Sequence, residues 1–214
     1  MRAAKTMGIA LFAILAFTAL GAAAASAHTW EDNKSPLTIQ KADEGEATVE
    51  IQWLGARGMC KMRQKGKLGA GAAGLIESIT NTSGGKTITC ENISETGGEC
   101  TTKSTITLEA NGLPWKTELT TIGGELRDVQ FGVKGYEKQW TIRCTESGTE
   151  EGKTYCGAAE GAGTNTLIRN AVGGIVESVF DKNSPNYLCY AGELRFRGTE
   201  KLKFSREEGN LSAS

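Results

Sequence analysis

The sequence predicts an all-β protein, an antiparallel β-sandwich preceded by a signal-peptide helix. Three observations favour this fold class. Short runs of apolar residues alternate with Thr and charged residues, Gly-rich breaks separate the runs, and no stretch after residue 27 shows the apolar stripe of an amphipathic helix. The 28 Gly and only 3 Pro among 214 residues agree with a chain that makes many tight turns.

The first 27 residues have the order of features found in secretory signal peptides. Arg2 and Lys5 give a positive start, residues 7–20 are apolar or small, and residues 25–27 match an A-x-A cleavage site. An uncleaved membrane anchor is the alternative, but the apolar run barely reaches the length that spans a bilayer. We therefore expect cleavage after Ala27, secretion of the mature chain and no membrane contact after cleavage.

Composition and motif positions predict three segments. Residues 1–27 are expected to be the signal peptide, 28–205 a single disulfide-stapled β domain, and 206–214 a flexible C-terminal tail, because the last residues are mostly polar.

Eight segments of the predicted domain alternate apolar and polar residues at the period of two that a half-buried strand requires. Strands that recur about every 8–12 residues are typical of a two-sheet sandwich or a closed sheet. The residues on the inward side of these segments are Val49/Ile51/Trp53, Ile88/Cys90, Ile106/Leu108, Trp115/Thr117/Leu119, Val129/Phe131/Val133, Trp140/Ile142/Cys144, Leu194/Phe196 and Leu202/Phe204.

One short motif occurs twice. Residues 74–79 read GLIESI and residues 174–179 read GIVESV, and each is followed by a cysteine, Cys90 or Cys189, after a similar interval. Two related half-sheets would explain the repeat, and chance similarity between β-rich, Gly-rich segments is the alternative.

The six cysteines of the predicted mature chain indicate three disulfides, because export delivers them to an oxidising compartment. The favoured pairing closes two short, turn-rich loops and leaves one long-range pair, and a rival pairing remains open. The favoured pairs are Cys90–Cys100, Cys144–Cys156 and Cys60–Cys189; the rival pairs are Cys60–Cys90, Cys100–Cys144 and Cys156–Cys189.

Several chemistries lack the residues that they need. There is no C-x2-C pair and the only histidine is His28, so we predict no metal site, no cofactor and no catalysis by Ser-His-Asp or Cys-His groups. Residues 69–74 match G-x-G-x-x-G, but a highly charged segment precedes them where a dinucleotide site needs a buried strand. The formal net charge of −1 argues against nucleic acid as a partner.

Catalysis by Asp and Glu carboxyl groups is not excluded by these absences. Glycoside hydrolysis needs two carboxyl groups about 5–10 Å apart on an open face. Glu109 is one candidate by position, and Trp115, Glu118, Glu125 and Asp128 define a candidate ligand face. The alternative is that these acids are ordinary solvated residues and that the tryptophans pack in the core.

Several short motifs form a pattern along the predicted domain: the string Leu113 to Leu119 (L-P-W-K-T-E-L), Arg127-Asp128 and a late Cys-x-x-Gly stretch at 189–192. An early Trp segment at Trp30 and the pair Cys90 and Cys100 belong to the same pattern. In these motifs the chain resembles a family of uncharacterised, exported proteins from soil actinobacteria. The resemblance covers about residues 30–205 and implies export and an all-β fold. It transfers no catalytic residue.

These observations favour a secreted, non-catalytic binding or cell-surface module, in contact with a glycan or the cell envelope. The alternative is a carboxylate-based hydrolase acting on extracellular polysaccharide. A self-assembling envelope protein is a third hypothesis.

Overall fold

The all-β prediction is confirmed. The computed structural model describes residues 28–38, 40–95, 100–131, 139–158, 164–184, 186–205 and 209–214, and this part of the chain contains sixteen strands and no helix. The predicted signal peptide lies outside the described residues. The strands are β1 Trp30–Asp32, β2 Ser35–Pro36, β3 Lys41–Trp53, β4 Ala56–Leu68, β5 Ala73–Asn81, β6 Thr87–Asn92, β7 Thr105–Ala110, β8 Trp115–Ile122, β9 Glu125–Gln130, β10 Trp140–Glu146, β11 Thr149–Gly157, β12 Thr164–Ala171, β13 Ile175–Phe180, β14 Tyr187–Cys189, β15 Glu193–Phe204 and β16 Leu211–Ala213.

Thirteen strands form one antiparallel sheet that closes on itself twice. The sheet order is β13-β12-β9-β8-β5-β4-β3-β15-β14-β11-β10-β7-β6, and β13 also pairs with β15 while β6 pairs with β4. The result is two sandwich-like lobes that share the long strands β3, β4 and β15, which we call the shared ribbon. The acid lobe consists of the shared ribbon with β5, β8, β9, β12 and β13. The cystine lobe consists of the shared ribbon with β6, β7, β10, β11 and β14.

The shared ribbon is built on a long β-hairpin. The thirteen residues of β3 pair with the thirteen residues of β4 without interruption, from Lys41 opposite Leu68 to Trp53 opposite Ala56. The two-residue turn between them consists of Leu54 and Gly55, both with positive φ (44° and 85°). Two positive φ angles are the signature of a type I′ turn, whose twist matches that of the flanking strands.

The inward residues of the ribbon change character along its length. On β3, Val49, Ile51 and Trp53 point into the apolar core of the cystine lobe, whereas Asp43 and Gly45 point into the acid lobe. Alternate residues of β3 therefore place apolar side chains in the interior of the cystine lobe and a carboxyl group in the interior of the acid lobe.

Aromatic rings lie where the two interiors meet. Trp115 and Trp140 pack edge to face with ring centroids 5.3 Å apart, and Phe196 lies 5.1 Å from Trp140. Tyr187 contacts the same group and donates a hydrogen bond from its hydroxyl to Oε1 of Gln130 in the acid lobe (2.8 Å). The aromatic rings therefore lie between the apolar interior of the cystine lobe and the polar interior of the acid lobe, and the Tyr187 hydroxyl connects the two interiors.

A small sheet with the order β16-β1-β2 covers one end of the acid lobe. Trp30 of β1 and Leu211 of β16 are buried there in an apolar cluster with Phe204. The prediction of a flexible tail at 206–214 is therefore wrong for its last residues, because burial of Leu211 and Ala213 and pairing with β1 hold them in a strand. Residues 206–208 lie outside the described part.

Most predicted strand segments are confirmed with the predicted inward residues. The exception is the segment with Val129, Phe131 and Val133. Val129 points outward, because it lies opposite exposed Glu118 while its neighbours Asp128 and Gln130 point inward, and β9 ends at Gln130. Phe131 follows the strand, and Val133 lies outside the described residues.

The disulfide pairing is the rival one, so the favoured local pairing is wrong. Cys60 lies directly opposite Cys90 in the β4–β6 pair and Cys156 opposite Cys189 in the β11–β14 pair, with Cα–Cα distances of 4.3 and 4.0 Å. Cys100 bonds to Cys144 at a Cα–Cα distance of 5.4 Å. Although Cys144 and Cys156 share the hairpin β10–β11, they are out of register, since Cys144 faces Gly152 and Cys156 faces Trp140.

The repeated motif occupies equivalent places on the two sides of β3. The first copy lies in β5, which pairs with β4, and the second lies in β13, which pairs with β15. The cysteine strands that follow, β6 and β14, pair with the same two ribbon strands in the cystine lobe. This arrangement agrees with two related half-sheets arranged about β3.

We expect the native protein to contain Cys60–Cys90, Cys100–Cys144 and Cys156–Cys189. Mass mapping without reductant, after digestion with trypsin and a Glu-specific protease, tests this pairing, since cleavage after Glu91, Glu95 and Glu99 separates Cys90 from Cys100. A peptide pair linked through Cys90 and Cys100 would contradict the structure. Replacing both Cys60 and Cys90 with Ala should lower the free energy of unfolding by about 3–4 kcal/mol through the lost loop constraint.

Candidate functional site

The interior of the acid lobe contains three carboxyl groups. Asp43 on β3, Asp128 on β9 and Glu200 on β15 all point inward, and the exposed fractions of Asp43 and Glu200 are only 2% and 8%. Hydroxyl and amide groups surround them, among them Thr117 and Gln130, which lie opposite one another in the β8–β9 pair. A polar core of this kind is unusual, because burying an ionised carboxylate without a partner is costly.

Glycines on neighbouring strands make the room for these groups. A Cβ atom on Gly45 would collide with the Glu200 side chain, and one on Gly66 would lie 3.0 Å from Oδ1 of Asp43 and collide with the backbone of Leu75. These positions therefore exclude larger residues because the carboxyl side chains and an adjacent strand already occupy the space.

Burial holds all three carboxyl groups towards their neutral form. Desolvation raises the pKa of Asp43 to about 7, with a further contribution from nearby Asp128. Desolvation also raises the pKa of Asp128 to about 7, against a hydrogen bond with Thr117 that lowers it. The pKa of Glu200 rises to about 8 through desolvation first and then through Asp43 and Asp128.

A small cavity lies beside two of the carboxyl groups. It measures about 30 Å³ and is lined by Asp128, Glu200, Gln130, Thr166 and Ser178, among others. Nε2 of Gln130 and Oδ1 of Asp128 have no hydrogen-bond partner among the described residues. The cavity can hold a water molecule, but it is far below the roughly 300 Å³ at which small-molecule pockets begin.

The structure divides the predicted ligand face between two sides of the sheet. Trp115 and Asp128 point into the interior, whereas Glu118 and Glu125 are exposed on the outside. The prediction that these four residues form one face is therefore wrong. Residues three apart on a strand, as in 115 and 118 or 125 and 128, point in opposite directions. The fifth candidate, Glu109, lies on β7 of the cystine lobe.

All four tryptophans are buried, which confirms the core-packing interpretation. Trp30 and Trp115 are fully enclosed, and Trp53 and Trp140 are nearly so. Nε1 of Trp115 donates to the carbonyl of Asn111 (2.9 Å) and Nε1 of Trp53 donates to that of Ala191 (2.7 Å). None of these rings is available to stack on a sugar.

Arg127 forms a buried ionic cluster on the outer side of the acid lobe. Its exposed fraction is 2%, and its guanidinium donates to Asp181 (2.8 and 3.2 Å), Glu125 (2.7 Å) and Asn165 (2.8 Å). The hydrogen bonds from Arg127 hold the pKa of Asp181 below its usual range. The cluster ties β9 and β12 to the segment after β13, which is a structural role that sequence reasoning missed.

His28 contacts the C-terminal end of the chain. Nδ1 lies 3.1 Å from the carbonyl oxygen of Ser214, and Nε2 is hydrogen-bonded to the hydroxyl of Thr121. The ring thus helps to join β1 to β16 and β8.

The outer face of the shared ribbon is strongly charged. Nine of the chain's 24 Lys and Arg occupy outward positions of β4 and β15, whereas only four of its 25 Asp and Glu occupy outward positions of the ribbon. Because β3 lies between β4 and β15, an acidic row separates two basic rows. The basic residues are Arg57, Lys61, Arg63, Lys65, Lys67, Arg195, Arg197, Lys201 and Lys203; the acidic residues are Glu44, Glu46, Glu50 and Glu193.

Ion pairs neutralise part of this face. The acidic row of β3 pairs across to both basic rows, and Lys67 pairs with Glu77 on β5 at 2.6 Å. Lys61, Lys65, Arg197 and Lys201 form no ion pair with any described residue. The pairs within the ribbon are Arg57–Glu50 (2.8 Å), Arg63–Glu46 (3.0 Å), Lys203–Glu44 (3.2 Å) and Arg195–Glu193 (3.9 Å).

Two adjoining grooves cross the outer face of the ribbon. One has a volume of about 470 Å³ and includes Lys65, Lys203 and Glu44, and the other has a volume of about 550 Å³ and includes Lys61 and three threonines. Both grooves share Glu46 and Lys201. The sequence carried a signal for this surface, since basic residues recur at alternate positions from 61 to 67.

Within the described ranges, no group of three or more His, Cys, Asp or Glu is placed to hold a metal ion. No helix in the described part of the chain has the length and apolarity needed to cross a bilayer. No protein-family model, curated protein or solved structure gave a match to this chain.

The buried carboxyl groups predict a stability that falls as pH rises. Between about pH 4 and pH 8 the native state keeps protons that the unfolded chain releases, so the free energy of unfolding decreases across this interval. Urea unfolding at pH 5, 7 and 9 should show this trend. At pH 9 Glu200→Gln should be more stable than wild type. The difference in free energy of unfolding between variant and wild type should shift in favour of the variant by about 2–4 kcal/mol from pH 5 to pH 9.

Glu118→Gln is the matched control, because Glu118 is exposed on β8 and its substitution should leave the pH dependence unchanged. A wild-type stability that stays constant or rises from pH 5 to pH 9 would contradict the assignment of neutral carboxyl groups to the native acid lobe.

Proposed function

We propose that the protein is a secreted, non-catalytic binding module that acts at the cell exterior. The observation that carries this proposal is the separation of the inward carboxyl groups from the open grooves. The inward carboxyl groups lie beside a cavity of about 30 Å³, while two grooves of about 470 and 550 Å³ lie on the charged outer face of the shared ribbon and a third, of about 760 Å³, lies beside the small sheet. Recognition can use that outer face, whereas catalysis by the inward carboxyl groups has no space for a substrate.

The disulfides support the extracellular part of the proposal. Three disulfides account for all six cysteines. Such bonds persist in oxidising compartments and are rare in the cytosol. The leader-like segment at 1–27, which lies outside the described residues, agrees with the same route.

The two rival functions have weaker support. A polysaccharide hydrolase needs two carboxyl groups that converge on an open face. Within the predicted ligand face, Asp128 cannot form such a pair with Glu118 or Glu125, because the thickness of the sheet separates them. Self-assembly through unpaired strand edges is disfavoured, because each lobe closes on itself and leaves few edges for a second copy.

Export and oxidation can be tested together. When the full chain is expressed in a secreting host, we expect mature protein in the medium with His28 at its N-terminus and no free thiol. N-terminal sequencing and thiol titration under denaturing conditions measure these two properties. Six free thiols, or full-length chain confined to the cytosol, would contradict the proposed location.

If the protein binds without catalysis, the purified mature protein should give a positive result in a binding assay and a negative result in an activity assay. It should sediment with at least one insoluble extracellular polysaccharide or cell-envelope preparation, and it should release no reducing ends from that material. Reducing-end release that disappears in Asp128→Asn or Glu125→Gln would favour the hydrolase instead. We expect Glu118→Gln to bind as tightly as wild type, because the acids of the predicted ligand face take no part in binding.

A further inference from the structure

We infer that the paired grooves on the outer face of the shared ribbon bind a linear anionic polysaccharide, held mainly by Lys61, Lys65 and Lys201. The inference rests on the proposed binding function and names both its site and its class of ligand. Lys201 lies in both grooves, Lys61 in one and Lys65 in the other, so the three ammonium groups mark one continuous track.

Positive charge is concentrated on the outer face of the ribbon. The outward positions of the ribbon hold nine basic and four acidic side chains in a chain whose formal net charge is only −1, so positive charge is concentrated on this face. Lys61, Lys65 and Lys201 form no ion pair with the residues that the structure describes, and all three are exposed. Unpaired ammonium groups that are already exposed can bind an anion without first breaking an internal ion pair.

The spacing of the basic rows suits an extended ligand. β4 and β15 flank β3, so the two basic rows stand roughly 10 Å apart, and successive outward residues along one strand are separated by roughly 7 Å. A groove with cations on both walls suits an extended chain that carries anionic groups at intervals along its length. A compact monovalent anion would engage only one wall.

The acidic row between the basic rows limits the charge density of the ligand. Glu46 lies in both grooves and Glu44 in one. These carboxylates repel a densely charged backbone but tolerate a polymer with one charge per sugar, because neutral segments can pass over them. Like-charge contacts of this type are a common source of specificity.

The lining of the second groove is polar. Thr48, Thr82 and Thr199, which carry hydroxyl groups, line it together with Lys61. Such groups donate and accept hydrogen bonds, as sugar hydroxyls also do. No aromatic residue lines either groove in the described part of the chain, whereas proteins that bind single-stranded nucleic acid stack bases on aromatic rings. The lining therefore favours a polysaccharide over a nucleic acid.

The test compares the affinity of the mature protein for three probes: polygalacturonate, neutral dextran of similar length and a duplex DNA oligonucleotide. Polygalacturonate should bind most tightly, and its affinity should fall as NaCl is raised from low to high concentration. The variant Lys61→Gln/Lys201→Gln should bind polygalacturonate about tenfold more weakly than wild type. Both lysines are exposed, so the variant is expected to keep the native circular dichroism spectrum and melting temperature.

Lys86→Gln/Lys116→Gln is the control variant, because it removes the same charge from exposed positions outside the grooves and should change the affinity less than twofold. Equal loss of affinity in both variants would overturn the assignment of the site. Tighter binding of DNA than of polygalacturonate would overturn the assigned ligand class.

Two further outcomes separate this inference from the proposed function. Binding of dextran or another neutral polysaccharide, with no effect of Lys61→Gln/Lys201→Gln, would overturn the anionic site and leave the binding function in place. Failure to bind any of the polysaccharides or envelope preparations would overturn both.

Discussion

The shared ribbon is the constraint on which the rest of the molecule depends. β3 pairs along its whole length with β4 and along most of it with β15, and all other strands of the main sheet are arranged around these three. One side of the ribbon supplies the interiors of both lobes, and the other side supplies a continuous charged surface. Because side chains alternate along a strand, a slip of one residue would exchange Asp43 and Val49 with Glu44 and Glu50 and would damage both lobes at once.

Much of the fold could be predicted from local pattern. The alternation around Ile51, Trp115 and Ile142 identifies half-buried strands, since burial of one strand face is a local property of the sequence. The pairing of cysteines was not accessible in this way. It depends on β4 meeting β6 and β11 meeting β14, and these contacts arise from closure of the sheet between segments about 30 residues apart. Short loops rich in glycine suggested a local pairing that the strand register excludes.

Prediction of the candidate site was less complete. Side chains alternate between the two faces of a strand, so residues three apart, such as Trp115 and Glu118, lie on opposite faces. The sequence alone could therefore have shown that the predicted ligand face is divided. The basic rows were also visible as alternating lysines and arginines on β4 and β15. The carboxyl cluster was visible only in part. Strand parity places Asp43 on the side of Val49 and Glu200 on the side of Leu202, but their convergence with Asp128 depends on pairing between distant segments of the chain.

The placement of the disulfides has a consequence for proteolytic resistance. No acid-lobe strand outside the ribbon carries a cysteine, yet each of these strands lies within a chain segment whose ends are joined by a disulfide: β5 between Cys60 and Cys90, β8 and β9 between Cys100 and Cys144, β12 and β13 between Cys156 and Cys189. A protease that nicks an exposed acid-lobe turn therefore releases no fragment, because both new ends stay covalently attached to the cystine lobe. A molecule cut in this way can keep its shape in a protease-rich medium for as long as its cystines stay oxidised.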